Sequence, residues 1–140
     1  MESRFSFLTR SSARRFDVCV FALALAVRLA ALVLFQAKGL GDAYGRDLYF
    51  NLALGWLGHI PVPAFDATHP PLYTLIIAAI LGLLRTTSQL PILVFNVLIG
   101  AGAVVLLRRA GAYLLDDKTA RLAALWLALD PAVIFFTPQL

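Results

Sequence analysis

Charged residues are scarce in this sequence. Of its 140 residues, 14% are charged and 61% are hydrophobic, whereas an ordinary soluble domain carries about 25% charged and 45–50% apolar residues. This composition argues against a water-soluble domain and predicts an integral membrane protein, in which about 20 apolar residues make one crossing. Membrane lipid is therefore the first partner that we expect.

Cysteine is almost absent as well. The single cysteine, Cys19, lies inside an apolar run, so the chain can form neither an internal disulfide nor a cysteine metal cluster. The two histidines, His59 and His69, are ten residues apart with prolines between them, a spacing that argues against a zinc site. The net charge of +4 comes from basic residues that flank apolar runs, so we expect no nucleic-acid partner.

The first apolar run predicts a transmembrane helix over residues 16–35. Four arginines precede it, and basic residues favour the cytoplasmic side of a membrane. The N-terminus is therefore expected in the cytoplasm. A cleaved signal peptide is the alternative, but its apolar part spans about 7–15 residues and lacks a central arginine such as Arg28.

The later apolar runs predict two more crossings, over 90–107 and 119–138, joined by a cytoplasmic turn over 108–118. A further apolar run, 72–84, has only 13 residues, about 20 Å of helix against a hydrocarbon core of about 30 Å. If this run crossed, five Lys and Arg residues would lie inside and six outside; if it stays outside, eight lie inside and three outside. The positive-inside rule favours the second arrangement.

The expected fold class is thus an all-α integral membrane protein of the plasma (inner) membrane, part of the cell envelope. It has three crossings and an outer, or periplasmic, segment over 36–89 with interfacial helices at about 43–58 and 70–85. The last apolar run reaches the end of the sequence without a polar tail. We therefore expect the 140 residues to be the N-terminal part of a longer transmembrane domain.

The outer segment carries most of the side chains suited to chemistry. Its three acidic residues could bind a divalent ion, but no ligand spacing indicates one, so we expect no cofactor. A carboxylate beside the membrane can act as a general base, and a basic group can hold a phosphate. The alternative interpretation is that these are solvated loop residues. The acids are Asp42, Asp47 and Asp66.

Several short motifs occur here in a particular order. An Arg28-Leu29 pair lies in the first crossing, and Gly41-Asp42-Ala43 precedes the first interfacial helix. His69-Pro70-Pro71-Leu72-Tyr73 opens the second, and Leu129-Asp130-Pro131 lies in the last crossing. Together they resemble the GT-C membrane glycosyltransferases, most closely the branch with protein mannosyltransferases and the lipid A aminoarabinose transferase. The resemblance covers about residues 16–140.

This resemblance implies an enzyme that transfers a sugar from a polyprenyl-phosphate donor to a hydroxyl of an acceptor lipid, glycan or protein on the outer face. By its position in the motif, Asp42 would be the catalytic base, with Asp47 as the second candidate. His69 occupies a position that is basic in relatives and would approach the donor phosphate. Arg46, which replaces a tyrosine of the family pattern, and Tyr73 would join it in binding substrate.

Other interpretations of these residues remain open at the level of sequence. Asp42 and Arg46 at i,i+4 can form a local surface pair worth a few tenths of a kcal/mol, by the usual magnitude of about 0.2–0.5 kcal/mol. His69 can simply start a helix at the lipid interface. The chain can also be a non-catalytic membrane module, an assembly subunit or transporter piece, whose outer loop binds a partner.

Two charges lie inside predicted crossings. Arg28 follows Phe16 by 12 residues and Asp130 follows Thr119 by 11, depths of about 18 and 16 Å at 1.5 Å per residue. Charges at such depth are usually paired, so we predict an ion pair between Arg28 and Asp130. The alternatives are that Asp130 caps a helix at Pro131 and that Arg28 extends to the outer headgroups.

Two local features are predicted to be structural. Small residues over 100–103 would form a close packing face. Asp117 would cap the N-terminus of the last crossing.

Overall fold

The computed structural model describes residues 2–38, 48–61 and 71–137. These residues form six helices and no strand, which confirms the all-α fold class. The helices are α1 (Glu2–Ala37), α2 (Leu48–Trp56), α3 (Pro71–Leu84), α4 (Leu90–Leu114), α5 (Asp117–Leu129) and α6 (Pro131–Phe136). Two segments, Ser12–Ala37 and Leu90–Leu114, are long and apolar enough to cross a membrane.

Helices α1, α4 and α5 pack into a bundle around small residues. Their shared core contains two valines and four alanines: Val20, Ala24, Ala101, Val104, Ala124 and Ala128. Alanines recur every fourth residue along α5, so they lie on one helix face. The approach of α4 and α5 is close enough that a Cβ added to Gly111 would lie 3.2 Å from the Cβ of Ala120. Small residues at such contacts let helix backbones approach.

Large apolar side chains point away from this bundle. Val33 on α1 is 64% exposed, Leu106 on α4 is 67% exposed and Trp126 on α5 is 79% exposed. In water, a contiguous apolar surface of this kind would drive association. Small residues inside and large apolar residues outside are typical of helices that pack in lipid.

The predicted packing face over 100–103 is only partly correct. Ala101 is fully buried and a Cβ on Gly100 would lie 3.1 Å from Arg28 Nε. Gly102, however, has open space at its Cβ position, and Ala103 is exposed. Consecutive helical residues point in directions about 100° apart, so four in a row cannot share one face.

Helices α2 and α3 form a second apolar cluster. Phe50 and Leu54 of α2 pack against Ile77 and Leu81 of α3, and Ile92 of α4 completes the contact. Both helices lie within the two interfacial helices predicted from sequence. The 14 residues of α3 span about 21 Å, a length that agrees with the prediction that this run does not cross.

The helices differ from the predicted crossings at three places, of which the first is the start of α1, at Glu2 and not at 16. Helix α4 continues past 107 to Leu114, so the predicted turn over 108–118 shortens to Leu115 and Asp116. Basic residues mark a membrane boundary and need not end a helix, since an arginine favours helix well. The predicted crossing over 119–138 is divided into α5 and α6 at Asp130, because Pro131 lacks the N–H that would continue α5.

Asp116, and not Asp117, caps α5. Its carboxylate accepts a hydrogen bond of 2.9 Å from the backbone N–H of Thr119 and a second bond from the Thr119 hydroxyl. These two bonds stabilise the ionised carboxylate and lower the pKa of Asp116 below its ordinary value. Asp117 is the first residue of the helix.

Helices α2 and α3 end in the same way with different residues. After α2, Gly58 has φ 75° and the N–H of His59 donates to the carbonyl of Leu54 at 2.9 Å. After α3, Arg85 has φ 50° and the N–H of Thr86 donates to the carbonyl of Leu81 at 3.2 Å. This left-handed helix ending suits glycine, whereas a residue with a Cβ is strained in it.

We therefore predict that Arg85→Gly raises the free energy of unfolding in detergent micelles by up to about 1 kcal/mol, because it relieves this strain. Leu84→Gly, one residue earlier and inside α3, is the control and should lower it by about 1 kcal/mol. Equal destabilisation by the two variants would contradict the left-handed conformation at Arg85.

Candidate functional site

A groove of about 520 Å³ opens at the end of the bundle where α1 stops and α4 begins. We call it the polar groove. Gln36 of α1 lies on one side of it, and residues of α2 and the turn that follows lie on another. The α3–α4 connection closes the third side. Its lining residues after Gln36 are Phe50, Leu54, His59, Ile60, Thr87, Ser88, Gln89 and Leu90.

The α3–α4 connection is ordered by its own hydroxyl groups. The N–H of Ser88 donates to Thr86 Oγ1 at 3.1 Å, and the N–H of Leu90 donates to Ser88 Oγ at 3.3 Å. The second bond satisfies one of the backbone N–H groups that α4 leaves unpaired at its start, and the first orders the residue before the N-cap Gln89. The connection therefore holds its polar side chains at a fixed position beside the groove.

The lining chemistry is neutral. Amide, imidazole and hydroxyl groups line the polar groove together with the apolar side chains of Phe50 and Leu54, and the described lining contains no carboxylate. Amides and hydroxyls both donate and accept hydrogen bonds. Such a surface suits a polyhydroxylated ligand better than a multiply charged one.

Four of the site residues predicted from sequence lie outside the described residues: Asp42, Arg46, Asp47 and His69. Tyr73 is described. It lies half-buried on α3, where its hydroxyl accepts a hydrogen bond of 2.8 Å from Asn96 Nδ2 of α4. Its ring packs edge-to-face against that of Tyr49 of α2, with centroids 5.4 Å apart. Tyr73 therefore joins three helices beside the groove.

Arg28 lies at the centre of the bundle and has no exposed surface. Its Nη1 donates to the carbonyl of Ala128 and its Nη2 to the carbonyl of Leu127, each at 3.3 Å. Nη1 also donates to the carbonyl of Ala24, one turn earlier in α1, at 3.2 Å. The guanidinium group thus connects α1 to the last turn of α5.

The helix break at Pro131 explains why these two carbonyls are available. In an unbroken helix, the carbonyl of Leu127 would accept from residue 131, but proline has no N–H. The carbonyl of Ala128 would accept from the N–H of Ala132, which donates instead to Asp130 Oδ1 at 2.8 Å. Arg28 therefore supplies donors to carbonyls that the break leaves without helical partners.

The predicted ion pair between Arg28 and Asp130 is therefore wrong, because Arg28 binds backbone carbonyls of α5 and not the Asp130 carboxylate. Among the described residues, no ion pair joins the two side chains. The carboxylate of Asp130 caps α6, accepting from the N–H groups of Ala132 and Val133. Arg28 and Asp130 nevertheless lie at the same level of the bundle, since Arg28 contacts the turn just before Asp130. The alternative that Asp130 caps a helix at Pro131 is confirmed.

We predict that Arg28→Gln lowers the free energy of unfolding by about 2 kcal/mol or more, because it leaves buried carbonyls without donors. Asp130→Asn should change it by less than about 0.5 kcal/mol, because asparagine caps a helix as well as aspartate does. Reversible unfolding in mixed micelles measures both. If Asp130→Asn were as destabilising as Arg28→Gln, the result would contradict the capping role of Asp130 and support an ion pair between Arg28 and Asp130.

A second site of buried charge lies at the end of the bundle opposite the polar groove. Asp17 of α1, with 7% of its side chain exposed, pairs with Arg108 Nε at 2.5 Å and with Arg109 Nε at 3.0 Å. Arg108, 8% exposed, also reaches Asp117 at 3.4 Å, and Asp117 pairs with Arg121 at 2.7 Å. We call these five residues the basic end. Their contacts tie together α1, α4 and α5.

The sequence carries a signal for this cluster that the expectations above do not include. Asp17 is the acidic residue at the start of the first apolar run, and Arg108-Arg109 end the antiparallel run. Oppositely charged residues at the same membrane depth of neighbouring helices are expected to pair. The polar groove had no comparable signal, because its lining residues come from three distant segments of ordinary polar composition.

We predict that Asp17→Asn lowers the free energy of unfolding by about 3–5 kcal/mol, because it leaves the buried Arg108 with only its longer contact to Asp117. The double variant Asp17→Asn/Arg108→Gln should be more stable than the sum of the two single changes implies. Asp117→Asn is the control: Asp117 is half exposed, its partner Arg121 lies nearer the surface and its contact with Arg108 is long, at 3.4 Å, so the loss should stay below about 1 kcal/mol. Strict additivity of the first two changes would contradict the pairing.

The described residues contain no group of three or more His, Cys, Asp or Glu side chains suited to a metal ion. No family model, no curated protein and no solved structure matches this chain.

Proposed function

We propose that this chain acts in a membrane glycosyltransferase that moves a sugar from a polyprenyl-phosphate donor to a hydroxyl acceptor. The observation that carries the proposal is the polar groove at one end of an apolar bundle. Neutral hydrogen-bonding side chains and the apolar Phe50 and Leu54 line it. A sugar offers matching hydroxyl groups and apolar ring faces.

The depth of the groove suits a lipid-linked donor. Gln36 lies at the end of the apolar segment Ser12–Ala37, and Gln89 and Leu90 lie at the start of the apolar segment Leu90–Leu114. In a membrane, both ends would stand at the level of the headgroups. The phosphate of a polyprenyl donor lies at this level while its chain stays in the lipid, so a sugar would extend toward the groove.

The candidate catalytic residues belong to the two chain segments that flank α2, whose side chains line this groove. Residues 39–47, which contain Asp42 and Asp47, join α1 to α2. Residues 62–70, which contain His69, lead from the end of α2 to α3. In the proposed reaction, a carboxylate takes the proton of the acceptor hydroxyl as its oxygen attacks the anomeric carbon. The bond from that carbon to the donor phosphate breaks as the new glycosidic bond forms.

The leaving group is a lipid phosphate, which carries its own negative charge. It therefore needs stabilisation by cationic or hydrogen-bonding groups more than it needs a proton donor. His69 and Arg46 are the residues that we propose for this role, on the resemblance to the GT-C family. Tyr73, held by Asn96, would contribute by keeping α3 in position.

The orientation proposed for the chain follows from its charges. Arg14, Arg15, Arg108 and Arg109 lie at the end of the bundle opposite the polar groove. Because basic residues favour the cytoplasmic side, the groove would face the outside of the plasma membrane. Helices α5 and α6 would together make the third crossing, with the break at Asp130 sealed by Arg28.

The test is sugar transfer by proteoliposomes that hold the full-length protein, supplied with polyprenyl-phosphate-linked sugars and hydroxyl acceptors. We predict that Asp42→Asn lowers the transfer rate by about 10²–10⁴-fold, the usual contribution of a general base. Asp47→Asn, measured in parallel, distinguishes the second candidate. Asp116→Asn is the matched control, because it makes the same chemical change at the opposite end and retains a capping side chain.

Loss of transfer in Asp47→Asn alone would assign the base to Asp47 and keep the proposed reaction. Full transfer by both variants would contradict a carboxylate base in the α1–α2 connection. A full-length protein that transfers none of the supplied sugars would favour the non-catalytic membrane module.

A further inference from the structure

A larger groove, of about 1130 Å³, opens between α1 and the end of α4 at the opposite end of the bundle. We call it the basic groove. Four arginines and one aspartate contribute to its lining, which therefore carries a net charge of +3. They are Arg14, Arg15, Arg108, Arg109 and Asp17.

Not all of these charges are available to a ligand. Arg108 is buried and directs its guanidinium group to Asp17 and Asp117. Arg109 contacts Asp17 through Nε, at 3.0 Å, and its side chain remains 59% exposed. Arg14 and Arg15 are exposed, and within the described residues neither forms an ion pair. Arg14, Arg15 and Arg109 thus keep guanidinium groups available to a ligand, although Arg109 shares the carboxylate of Asp17 with Arg108.

The basic groove is apolar on its deeper side. Val18 lies one turn beyond Arg14 on α1, toward the middle of the bundle, and is 63% exposed. Tyr113 of α4, 91% exposed, lies beyond Arg109 toward the end of α4 and so lines the outer edge of the groove. The lining therefore changes from cationic to apolar along the helix axis. A phospholipid has this same order, from phosphate to acyl chain.

We propose that the basic groove binds the headgroup of an anionic phospholipid. The phosphodiester accepts hydrogen bonds from Arg14, Arg15 and Arg109, and the first acyl carbons lie along Val18. A planar guanidinium group can donate two parallel hydrogen bonds to two oxygens of one phosphate. Basic pockets between helices on the cytoplasmic side are a known setting for acidic headgroups. This inference rests on the membrane insertion that is part of the proposed function.

The experiment measures lipid binding to the purified chain in neutral detergent, by titration with phosphatidylglycerol or phosphatidylcholine. We expect tighter binding of phosphatidylglycerol and a matching rise in melting temperature. Arg14→Gln/Arg15→Gln should weaken binding of phosphatidylglycerol by about 30-fold, given about 1 kcal/mol for each basic residue near anionic lipid.

The matched control is Lys38→Gln/Lys118→Gln, which removes two positive charges from exposed positions outside the groove. It should change the affinity less than about twofold at 0.15 M salt, since exposed charges are screened over about 8 Å. Glycerophosphoglycerol, the soluble headgroup, should bind far more weakly than the lipid because it lacks the acyl chains.

Equal binding of phosphatidylglycerol and phosphatidylcholine would overturn the proposal, as would equal losses in the two double variants. If glycerophosphoglycerol bound as tightly as phosphatidylglycerol, the groove would be a site for phosphate and not for a lipid, which would also overturn the proposal. A chain that inserts into membranes without preferring anionic lipid contradicts this inference alone. A chain that alkaline carbonate extracts from membranes contradicts the proposed function as well.

Discussion

A guanidinium group buried in an apolar bundle needs oxygen atoms for its N–H groups, and the rest of this structure depends on how Arg28 finds them for Nη1 and Nη2. Its Nε has no acceptor among the described residues. The Asp130-Pro131 sequence ends α5 and leaves the carbonyls of Leu127 and Ala128 without helical partners, and Arg28 donates to both. A Cβ at position 100 would lie 3.1 Å from Arg28 Nε, so Gly100 provides the space for this side chain. One charge thereby fixes the contact of α1 with α5 and makes the helix break tolerable inside an apolar environment.

The two ends of the bundle differ in their chemistry. At the basic end, Asp17 holds Arg108 and Arg109, so the cationic surface is built on a buried ion pair. At the other end, the polar groove is neutral and is framed by the short helices α2 and α3. This difference fits the two proposals, in which the basic end would contact anionic lipid and the polar groove would bind the neutral, hydrogen-bonding sugar of the donor. The proposed transferase and the proposed lipid site therefore use separate parts of one bundle.

The helices were predictable because apolar runs and proline breaks are local features. The partner of Arg28 was not predictable in the same way, because an acid at a matching position along a neighbouring helix suggests an ion pair. The carbonyls that Arg28 binds are free only because Pro131 ends α5, and this follows from the three-dimensional structure. The end of α4 was misplaced for a similar reason: Arg108 marks a boundary by its charge, yet pairing with Asp17 keeps it inside the helix. The polar groove depends on Gln36, His59 and Ser88 meeting in space, which no local pattern encodes.

The central claim is that α1 and α4 cross the membrane while α3 stays on the outer side with the polar groove. Labelling of single cysteines by a membrane-impermeant maleimide tests it most directly, in a Cys19→Ser background with Lys38→Cys, Ser88→Cys or Lys118→Cys. In intact cells, Lys38→Cys and Ser88→Cys should react and Lys118→Cys should react only after permeabilisation. Protection of Ser88→Cys together with labelling of Lys118→Cys in intact cells would mean that α3 crosses, and would contradict the proposed arrangement.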